Sequence, residues 1–196
     1  MRSKQRPAFL LAIILFIAGA QSAVAQKKPN IVILATGGTI AGAAATGTQA
    51  GYKSGAVTID AMIAAVPGIS DMANIKGEQI SNVGSQDMSF DIMLKVAKRI
   101  NELMSKSDVD GFVITHGTDT MTQTAKSLLG IPGKVIVLTG AMQPARFHTS
   151  DAAFNLGCAI AAVQLASPGV YIAMNGYVFP AESVRKNLEK GRFEWA

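Results

Sequence analysis

The sequence predicts an α/β protein with a doubly wound, mainly parallel sheet that carries helices on both faces. The first observation is a set of continuous apolar runs, among them residues 31–35 and 112–114, which are typical of parallel strands covered on both sides. The second is that helical patterns alternate with these runs along the chain. Alternation of this kind favours strand-helix-strand units and a single open sheet.

The elements are predicted in order from their apolar patterns. We expect strands near residues 30–35, 74–80, 111–115, 134–139 and 169–174, and helices near 59–66, 89–104, 120–129 and 151–165. The second helix has the clearest pattern, with Ser89 as a cap and an apolar face at three- and four-residue steps: Phe90, Met93, Ala97, Ile100 and Met104. Asn175 and Gly176, after the last strand, predict a turn.

Residues 1–25 have the pattern of a secretory signal peptide. Three basic residues (Arg2, Lys4 and Arg6) precede an apolar run at 8–20, and 23–25 read as a small-residue cleavage site. We therefore expect a mature protein that begins at Gln26 and is periplasmic or secreted. The alternative is an uncleaved anchor, although the run is shorter than the roughly 20 residues of a spanning helix.

Composition limits the classes of partner. The formal net charge is +5, but three of the bases lie in the leader, so the remaining 171 residues carry only +2. Their basic residues are scattered, which argues against a nucleic-acid partner. This length suits one α/β domain. The only cysteine, Cys158, excludes an internal disulfide, and its apolar neighbourhood predicts that it packs in the core.

The sequence predicts neither a metal site nor a nucleotide cofactor. His116 and His148 are the only histidines, and they belong to no HExxH pattern or ligand cluster. The glycines at 37, 38 and 42 do not form GxGxxG, and no Lys-Ser or Lys-Thr pair follows them. No cofactor is therefore expected.

Hydroxyl residues follow three of the predicted strands. Thr39 comes after the first strand, Ser85 after the second and Thr118 after the third. In an open α/β sheet the loops at the carboxyl ends of the strands form the ligand crevice, so these hydroxyls are expected to share one pocket. Taken singly, each is equally well explained as a turn residue or a helix cap.

Three motifs combine around these hydroxyls: TGGTI at 36–40, GSQDM at 84–88 and THGTDTM at 115–121. With these motifs in this order, the chain resembles the bacterial-type, periplasmic L-asparaginase family from residue 30 to about 190. The resemblance implies an amino-terminal catalytic domain at residues 26–196. Members of that family have a second, smaller domain, which we do not expect in this chain.

The resemblance also implies roles for individual residues. Thr39 would be the nucleophile with Tyr52 assisting, and Thr118, Asp119 and Lys186 would form a hydrogen-bonded set. Ser85 and Gln86, with Thr118 and Asp119, would bind an amino-acid zwitterion. Four alternatives remain open: Asp119 as a helix cap, Ser85 and Gln86 as a plain turn, Tyr52 as incidental in a Gly- and Ala-rich loop, and Lys186 as a solvated helix lysine.

Two classes of function follow. The first is hydrolysis of the side-chain amide of L-asparagine, and of L-glutamine as a further substrate, to the acid and ammonia. The second is a non-catalytic periplasmic amino-acid-binding protein or a truncated, inactive asparaginase-like protein. A subunit acting on charged transfer RNA conflicts with the leader. The family works as a tetramer, which implies a homo-oligomer, and Phe193 and Trp195 suggest an exposed apolar face.

Overall fold

The computed structural model describes residues 27–43 and 53–196. The strands within these residues are β1 (Asn30–Gly37), β2 (Asn74–Val83), β3 (Gly111–Thr115), β4 (Val135–Thr139), β5 (Gly169–Met174), β6 (Tyr177–Pro180), β7 (Val184–Asn187) and β8 (Arg192–Trp195). The helices are α1 (Ile59–Ala64), α2 (Ile69–Met72), α3 (Phe90–Lys106), α4 (Met121–Ser127) and α5 (Ala152–Leu165). Short 3₁₀ turns occupy Thr39–Ala41 and Ser85–Asp87.

Six strands form one sheet in the order β2-β1-β3-β4-β5-β6. The first five in this order are parallel, and β6 is antiparallel to β5. The predicted doubly wound, mainly parallel sheet is therefore confirmed. The chain moves from β1 to β2 on one side and then crosses to β3 on the other. This reversal lies between β1 and β3, the position where ligands bind in such sheets.

Both faces of the sheet are buried. Alternate residues of β1 point to opposite faces, so that Ile31 and Ile33 belong to one core cluster and Val32 and Leu34 to the other. Side chains of α1, α2 and α5 cover the first face. Side chains of α3, α4 and the β7–β8 hairpin cover the second. Burial on both sides explains why the strands read as uninterrupted apolar runs.

The predicted helix at 59–66 is α1, and a second short helix, α2, that was not predicted follows it. α1 ends at Ala64, and α2 begins at Ile69 after Pro67 and Gly68. Gly68 has φ +70°, in the left-handed region that interrupts a right-handed helix. The interruption lets the chain turn back toward the start of β2.

The predicted apolar face of α3 is partly wrong. Ser89 does cap the helix, because its hydroxyl accepts a hydrogen bond from the Ile92 N–H at 3.4 Å. The buried residues are Val96, Ile100 and Leu103, whereas Phe90 is 75 % exposed. Phe90 lies six positions before Val96, which at about 100° per residue places it well off the buried stripe.

Two side chains differ in burial from the prediction. Cys158 is only partly buried, on the outer side of α5, and not in the core. Its burial is nevertheless enough to raise the pKa of its thiol, which disfavours the reactive thiolate. Phe193 is 2 % exposed and packs in the core, so of the two terminal aromatic residues only Trp195, at 55 %, lies on the surface.

Three short strands at the end of the chain were not predicted. β6 follows β5 through a two-residue turn, in which Asn175 and Gly176 have φ of +57° and +78°. This confirms the predicted turn and gives it the mirror-image geometry of tight hairpins. β7 and β8 pair with each other in a separate two-stranded sheet. None of the helices in the described ranges is long and apolar enough to cross a membrane.

Candidate active site

The carboxyl ends of β2, β1 and β3 lie side by side, because these strands are parallel neighbours with β1 in the middle. Each ends in one of the three loops singled out by the sequence. Thr39 follows β1, Ser85 follows β2 and Thr118 follows β3. The sheet therefore brings the three hydroxyl-bearing loops to one edge.

Glycines allow the backbones of these loops to touch. A Cβ atom at Gly38 would lie 2.5 Å from the backbone nitrogen of Gly117, and one at Gly117 would lie 2.7 Å from the Cβ of Ser85. Both separations are shorter than real carbon contacts, so neither position has room for a side chain. The Thr39 turn thus packs on the Thr118 loop, which packs on the Ser85 loop.

Ser85 fixes the loop that carries Thr118. Its buried hydroxyl oxygen accepts hydrogen bonds from the backbone N–H groups of Asp119, at 2.8 Å, and Thr120, at 3.0 Å. The Thr120 hydroxyl donates in return to the Ser85 carbonyl at 3.0 Å. Since that bond uses the Thr120 proton, the Ser85 hydroxyl is the donor in the 3.2 Å contact between the two side chains. The two loops are therefore joined as one unit.

Lys186 reaches this loop from the β7–β8 hairpin. Its Nζ donates to the hydroxyl of Thr118 at 2.7 Å and forms an ion pair with the Asp119 carboxylate. The Lys186 side chain is only 13 % exposed, and it belongs to a strand and not to a helix. A hydroxyl, an ammonium and a carboxylate from segments far apart in the sequence therefore meet at one point.

The two remaining residues with predicted catalytic roles are placed differently. Thr39 is partly exposed and begins the 3₁₀ turn directly after the Gly38 contact. Tyr52 lies outside the described residues. Its described neighbour Lys53 exchanges two backbone hydrogen bonds with Ala43, at 2.9 and 3.2 Å, just beyond the Thr39 turn.

Asp119 and Gln86 present polar groups at the surface of the site. The Asp119 side chain is 64 % exposed although it pairs with Lys186, so its carboxylate has room for a second cation. Gln86 is also exposed, and its amide donates to the Asp87 carboxylate at 3.0 Å. Asp119 lies next to the amino terminus of α4, but its side chain is engaged with Lys186.

His116 lies beneath the site and is completely buried. Its Nδ1 is 2.7 Å from the Gly117 carbonyl, which can only accept, so Nδ1 carries the proton. Nε2, at 2.8 Å from the Thr124 hydroxyl, is then the acceptor. Burial lowers the pKa of the imidazole, and the bond to Gly117 opposes this only in part. His116 is thus neutral, and its two hydrogen bonds connect the Thr118 loop to α4.

The loop after β4 closes the next side of the crevice. A Cβ at Gly140 would lie 2.7 Å from the His116 carbonyl oxygen, so this loop also packs tightly on the Thr118 loop. The carboxylate of Asp151 accepts from the backbone N–H groups of Met142 and Gln143, each at 3.0 Å. Asp151 therefore holds the loop in shape at the start of α5.

The hairpin that carries Lys186 is stabilised on its outer face by Glu194. The Glu194 carboxylate accepts from the Asn187 amide at 2.9 Å and from Arg185 at 2.7 Å, and so bonds both strand neighbours of Lys186. These bonds, that of Asn187 first, hold the pKa of Glu194 below its ordinary value. Because strand residues alternate in direction, Lys186 points to the opposite, inner face.

Sequence reasoning missed the residues that brace the site. Thr120 is one, and Thr36, whose buried hydroxyl donates to the Thr115 carbonyl at 2.9 Å and so ties β1 to β3, is another. Both threonines lie in motifs that the sequence analysis singled out, Thr36 in TGGTI and Thr120 in THGTDTM. The sequence does not show, however, which group each hydroxyl contacts. The described residues contain no group of three His, Cys, Asp or Glu side chains that could hold a metal ion.

The fold and the site define a doubly wound α/β protein that carries hydroxyl, ammonium and carboxylate groups at the switch point of its sheet. The family profile described as "Asparaginase, N-terminal" matches residues 30–192. The chain therefore belongs to the asparaginase family.

Individual relatives agree with this assignment. The chain is 47 % identical to "Probable L-asparaginase periplasmic" of Haemophilus influenzae over 88 % of its own length and 50 % of that protein. It is 42 % identical to "Glutaminase-asparaginase" of Acinetobacter glutaminasificans over 82 % of its own length and 50 % of that protein. It also resembles the crystal structure of "Probable Cytoplasmic L-asparaginase" from Campylobacter jejuni, with a TM-score of 0.80 and 43 % identity. This match covers 86 % of the present chain and 54 % of the other chain. The chain thus spans about half the length of these relatives.

Proposed function

We propose that the protein hydrolyses the side-chain amide of L-asparagine, with L-glutamine as a further substrate, to the acid and ammonia. The observation that carries the proposal is the bridge from Lys186 to both Thr118 and Asp119, directly beside the Thr39 turn. The names of the relatives, L-asparaginase and glutaminase-asparaginase, supply the substrate class. In this proposal residues 26–196 form the catalytic domain.

Thr39 is the proposed nucleophile. Its hydroxyl oxygen attacks the amide carbon to give a tetrahedral intermediate. The leaving nitrogen takes up a proton, the C–N bond breaks, and ammonia is released while an acyl-threonine ester remains. Water then cleaves the ester, which releases the acid and restores the hydroxyl. We assign Tyr52 as a proton relay, whose phenol oxygen accepts the Thr39 proton as its own proton passes to the leaving nitrogen, and the backbone N–H groups of Thr39 and Thr118 as donors to the oxyanion.

Lys186, Thr118 and Asp119 form the proposed proton-handling set. A threonine hydroxyl is a weak nucleophile near neutral pH, so its deprotonation must be made less costly. The Lys186 ammonium, held 2.7 Å from the Thr118 oxygen in a largely buried position, stabilises negative charge on that side of the crevice. The Asp119 carboxylate keeps the lysine side chain in that orientation.

The substrate's charged end is assigned to the Ser85 and Asp119 side of the crevice. The exposed Asp119 carboxylate attracts the substrate ammonium, and the hydroxyls of Ser85 and Thr118 with the Gln86 amide bind its carboxylate. Ser85 already accepts two backbone N–H groups and donates its proton to the Thr120 hydroxyl at 3.2 Å, so in this proposal a bound substrate carboxylate takes that proton in place of Thr120.

A steady-state assay tests the proposal. The chain is supplied with L-asparagine or L-glutamine, ammonia is measured, and acid-quenched samples are digested to locate an acyl group by mass spectrometry. We expect turnover of asparagine, an acyl group on the peptide that contains Thr39, and loss of turnover in Thr39→Ala and Thr118→Ala. Ammonia release that survives in Thr39→Ala contradicts the nucleophile assignment.

Calorimetry with the same amino acids addresses the non-catalytic class. A truncated, inactive asparaginase-like protein or an amino-acid-binding protein would give no ammonia from wild-type chain, and the second would still show saturable heat of binding. Either result overturns the proposed activity. The leader at residues 1–25 is tested separately by amino-terminal sequencing of the secreted product, which we expect to begin at Gln26 in the periplasm.

We also propose that the chain self-associates through the outer side of α5. Phe154 and Leu165 are 60 % and 85 % exposed, eleven positions apart and so on one side of the helix, and the residues between them on that side are small. Light scattering should show an oligomer that Phe154→Ser with Leu165→Ser converts to monomer, and a wild-type monomer would contradict the proposal.

A further inference from the structure

Asn175 connects the main sheet to the hairpin that carries Lys186. It lies in the turn between β5 and β6, and its side-chain oxygen accepts a hydrogen bond from the Phe193 N–H of β8 at 2.9 Å. Asn175 also has φ +57°, a backbone conformation that few residues other than glycine adopt readily. A residue that tolerates the left-handed turn and offers a side-chain acceptor is therefore needed here.

Phe193 is the direct cross-strand partner of Lys186. The two residues face each other in the register of β7 and β8. Because the Phe193 N–H points away from β7 toward Asn175, this is a non-hydrogen-bonded pair, in which the Cα atoms approach to about 4.5 Å and the two side chains lie side by side. Phe193 is 2 % exposed in the core, so its ring and the Lys186 stem share the inner face.

The contacts form a continuous chain from Asn175 through Phe193 and Lys186 to Thr118 and Asp119. β7 and β8 belong to a sheet of their own and not to the six-stranded one. Their orientation relative to the site therefore depends on core packing, on backbone links, and on side-chain bonds such as this one. The Asn175 bond holds Phe193, which lies directly opposite Lys186, so it constrains the position of the lysine through a single neighbouring residue.

We infer that Asn175 is a positioning residue that sets the location of the Lys186 ammonium against Thr118. The functional part of this inference depends on the proposed hydrolysis, in which Lys186 handles charge. The structural part, that loss of the Asn175 acceptor releases Lys186, does not. The two parts are measured separately.

The turn geometry supplies a matched pair of variants. Asn175→Gly removes the acceptor and turns the Asn-Gly pair at 175–176 into Gly-Gly, which suits the same hairpin turn. Asn175→Asp keeps an acceptor and also tolerates the left-handed region. Thermal unfolding of both variants checks that the fold is kept.

The first readout is independent of activity. Limited reductive methylation of the full chain, followed by peptide mass analysis, gives the reaction rate of the Lys186 amine relative to Lys190 and Lys95 in the same sample. We expect a several-fold rise for Lys186 in Asn175→Gly and none in Asn175→Asp. An unchanged Lys186 rate in the glycine variant, or an equal rise in both variants, overturns the inference whether or not the chain releases ammonia.

The second readout is kinetic. We expect Asn175→Gly to lower kcat about 10- to 100-fold with KM changed little, as for a displaced catalytic group, and Asn175→Asp to restore it. In a Lys186→Met background, Asn175→Gly should have no further effect on kcat. A multiplied loss in the double variant overturns the positioning role. Absence of turnover in wild-type chain refutes the proposed hydrolysis but leaves the methylation result to decide on Asn175.

Discussion

Gly38 and Gly117 lie in direct backbone contact, although 79 positions separate them in the chain: a Cβ on Gly38 would stand 2.5 Å from the Gly117 nitrogen. This contact fixes the distance between the Thr39 turn and the Thr118 loop. It also explains why both motifs need glycine at this position. The proposed chemistry depends on this separation.

The contact predicts that Gly38→Ala disrupts the site. The alanine methyl group would collide with backbone, and φ of +77° adds about 1–2 kcal/mol for a left-handed residue. We expect a loss of at least 3 kcal/mol in the free energy of unfolding, measured with urea, and no detectable ammonia release. Gly133→Ala is the matched control, because Gly133 has φ of +80° but no atom within 4 Å of the added methyl group. An equal cost at both positions would show that backbone strain alone is responsible.

Lys186→Met is predicted to reduce turnover while keeping the fold. Methionine preserves the length of the side chain along Phe193 but removes the charge beside Thr118. Since the Asp119 carboxylate is largely exposed, it remains solvated without its partner. We expect kcat to fall about 10²- to 10⁴-fold, with a melting temperature close to that of wild type. Lys190→Met, in the same hairpin, is the control and should retain full turnover.

Ser85→Ala is predicted to loosen the Thr118 loop. The change leaves the N–H groups of Asp119 and Thr120 without their acceptor, which costs about 1–3 kcal/mol in unfolding free energy. Chemical denaturation measures the change. Ser105→Ala, whose hydroxyl bonds a carbonyl on the exposed side of α3, should cost less than about 0.5 kcal/mol. If the two variants are equally stable, Ser85 does not brace the loop.

His116 is predicted to make stability fall in mild acid. Because burial lowers its pKa in the folded state, the unfolded chain binds a proton first as the pH drops below its ordinary value of 6.5. Stability is therefore complete above that pH and declines below it, by up to about 1.4 kcal/mol per pH unit until the folded-state pKa is reached. Urea titrations between pH 7.5 and about 5 measure the slope.

The slope can be assigned to this residue by substitution. His116→Gln should be less stable at pH 7.5 because it disturbs the bonds to Gly117 and Thr124, but the steep part of the pH dependence should disappear. His148→Gln, at an exposed residue, is the control and should keep the wild-type slope. A slope that is the same in His116→Gln and wild type would place the acid sensitivity elsewhere.

Glu194 adds a second effect at lower pH. Its folded-state pKa is lowered by Asn187 and by its basic neighbours, so the stability it provides is present above its ordinary value of 4.5 and is lost as the pH falls through the folded-state pKa. We expect Glu194→Gln to lose the hairpin's acid sensitivity in this range. Methylation of Lys186 across the pH series reports the opening of the hairpin, with Lys95 as the internal reference.

The amino-acid sequence by itself determined the alternation of strands and helices, the positions of β1 to β5 and the three polar loops, because buried parallel strands leave uninterrupted apolar runs and each loop carries a distinctive motif. It predicted the burial of three side chains incorrectly: Phe90 is exposed, Cys158 is only partly buried, and Phe193 is buried. The burial of a side chain depends on neighbours that are distant in the sequence. Only the tertiary structure decided that Lys186 lies on a strand and reaches Thr118. Four-residue strands such as β7 carry too few residues for a period to be visible, and their position is set by packing and by the hydrogen bond that the Phe193 N–H donates to Asn175.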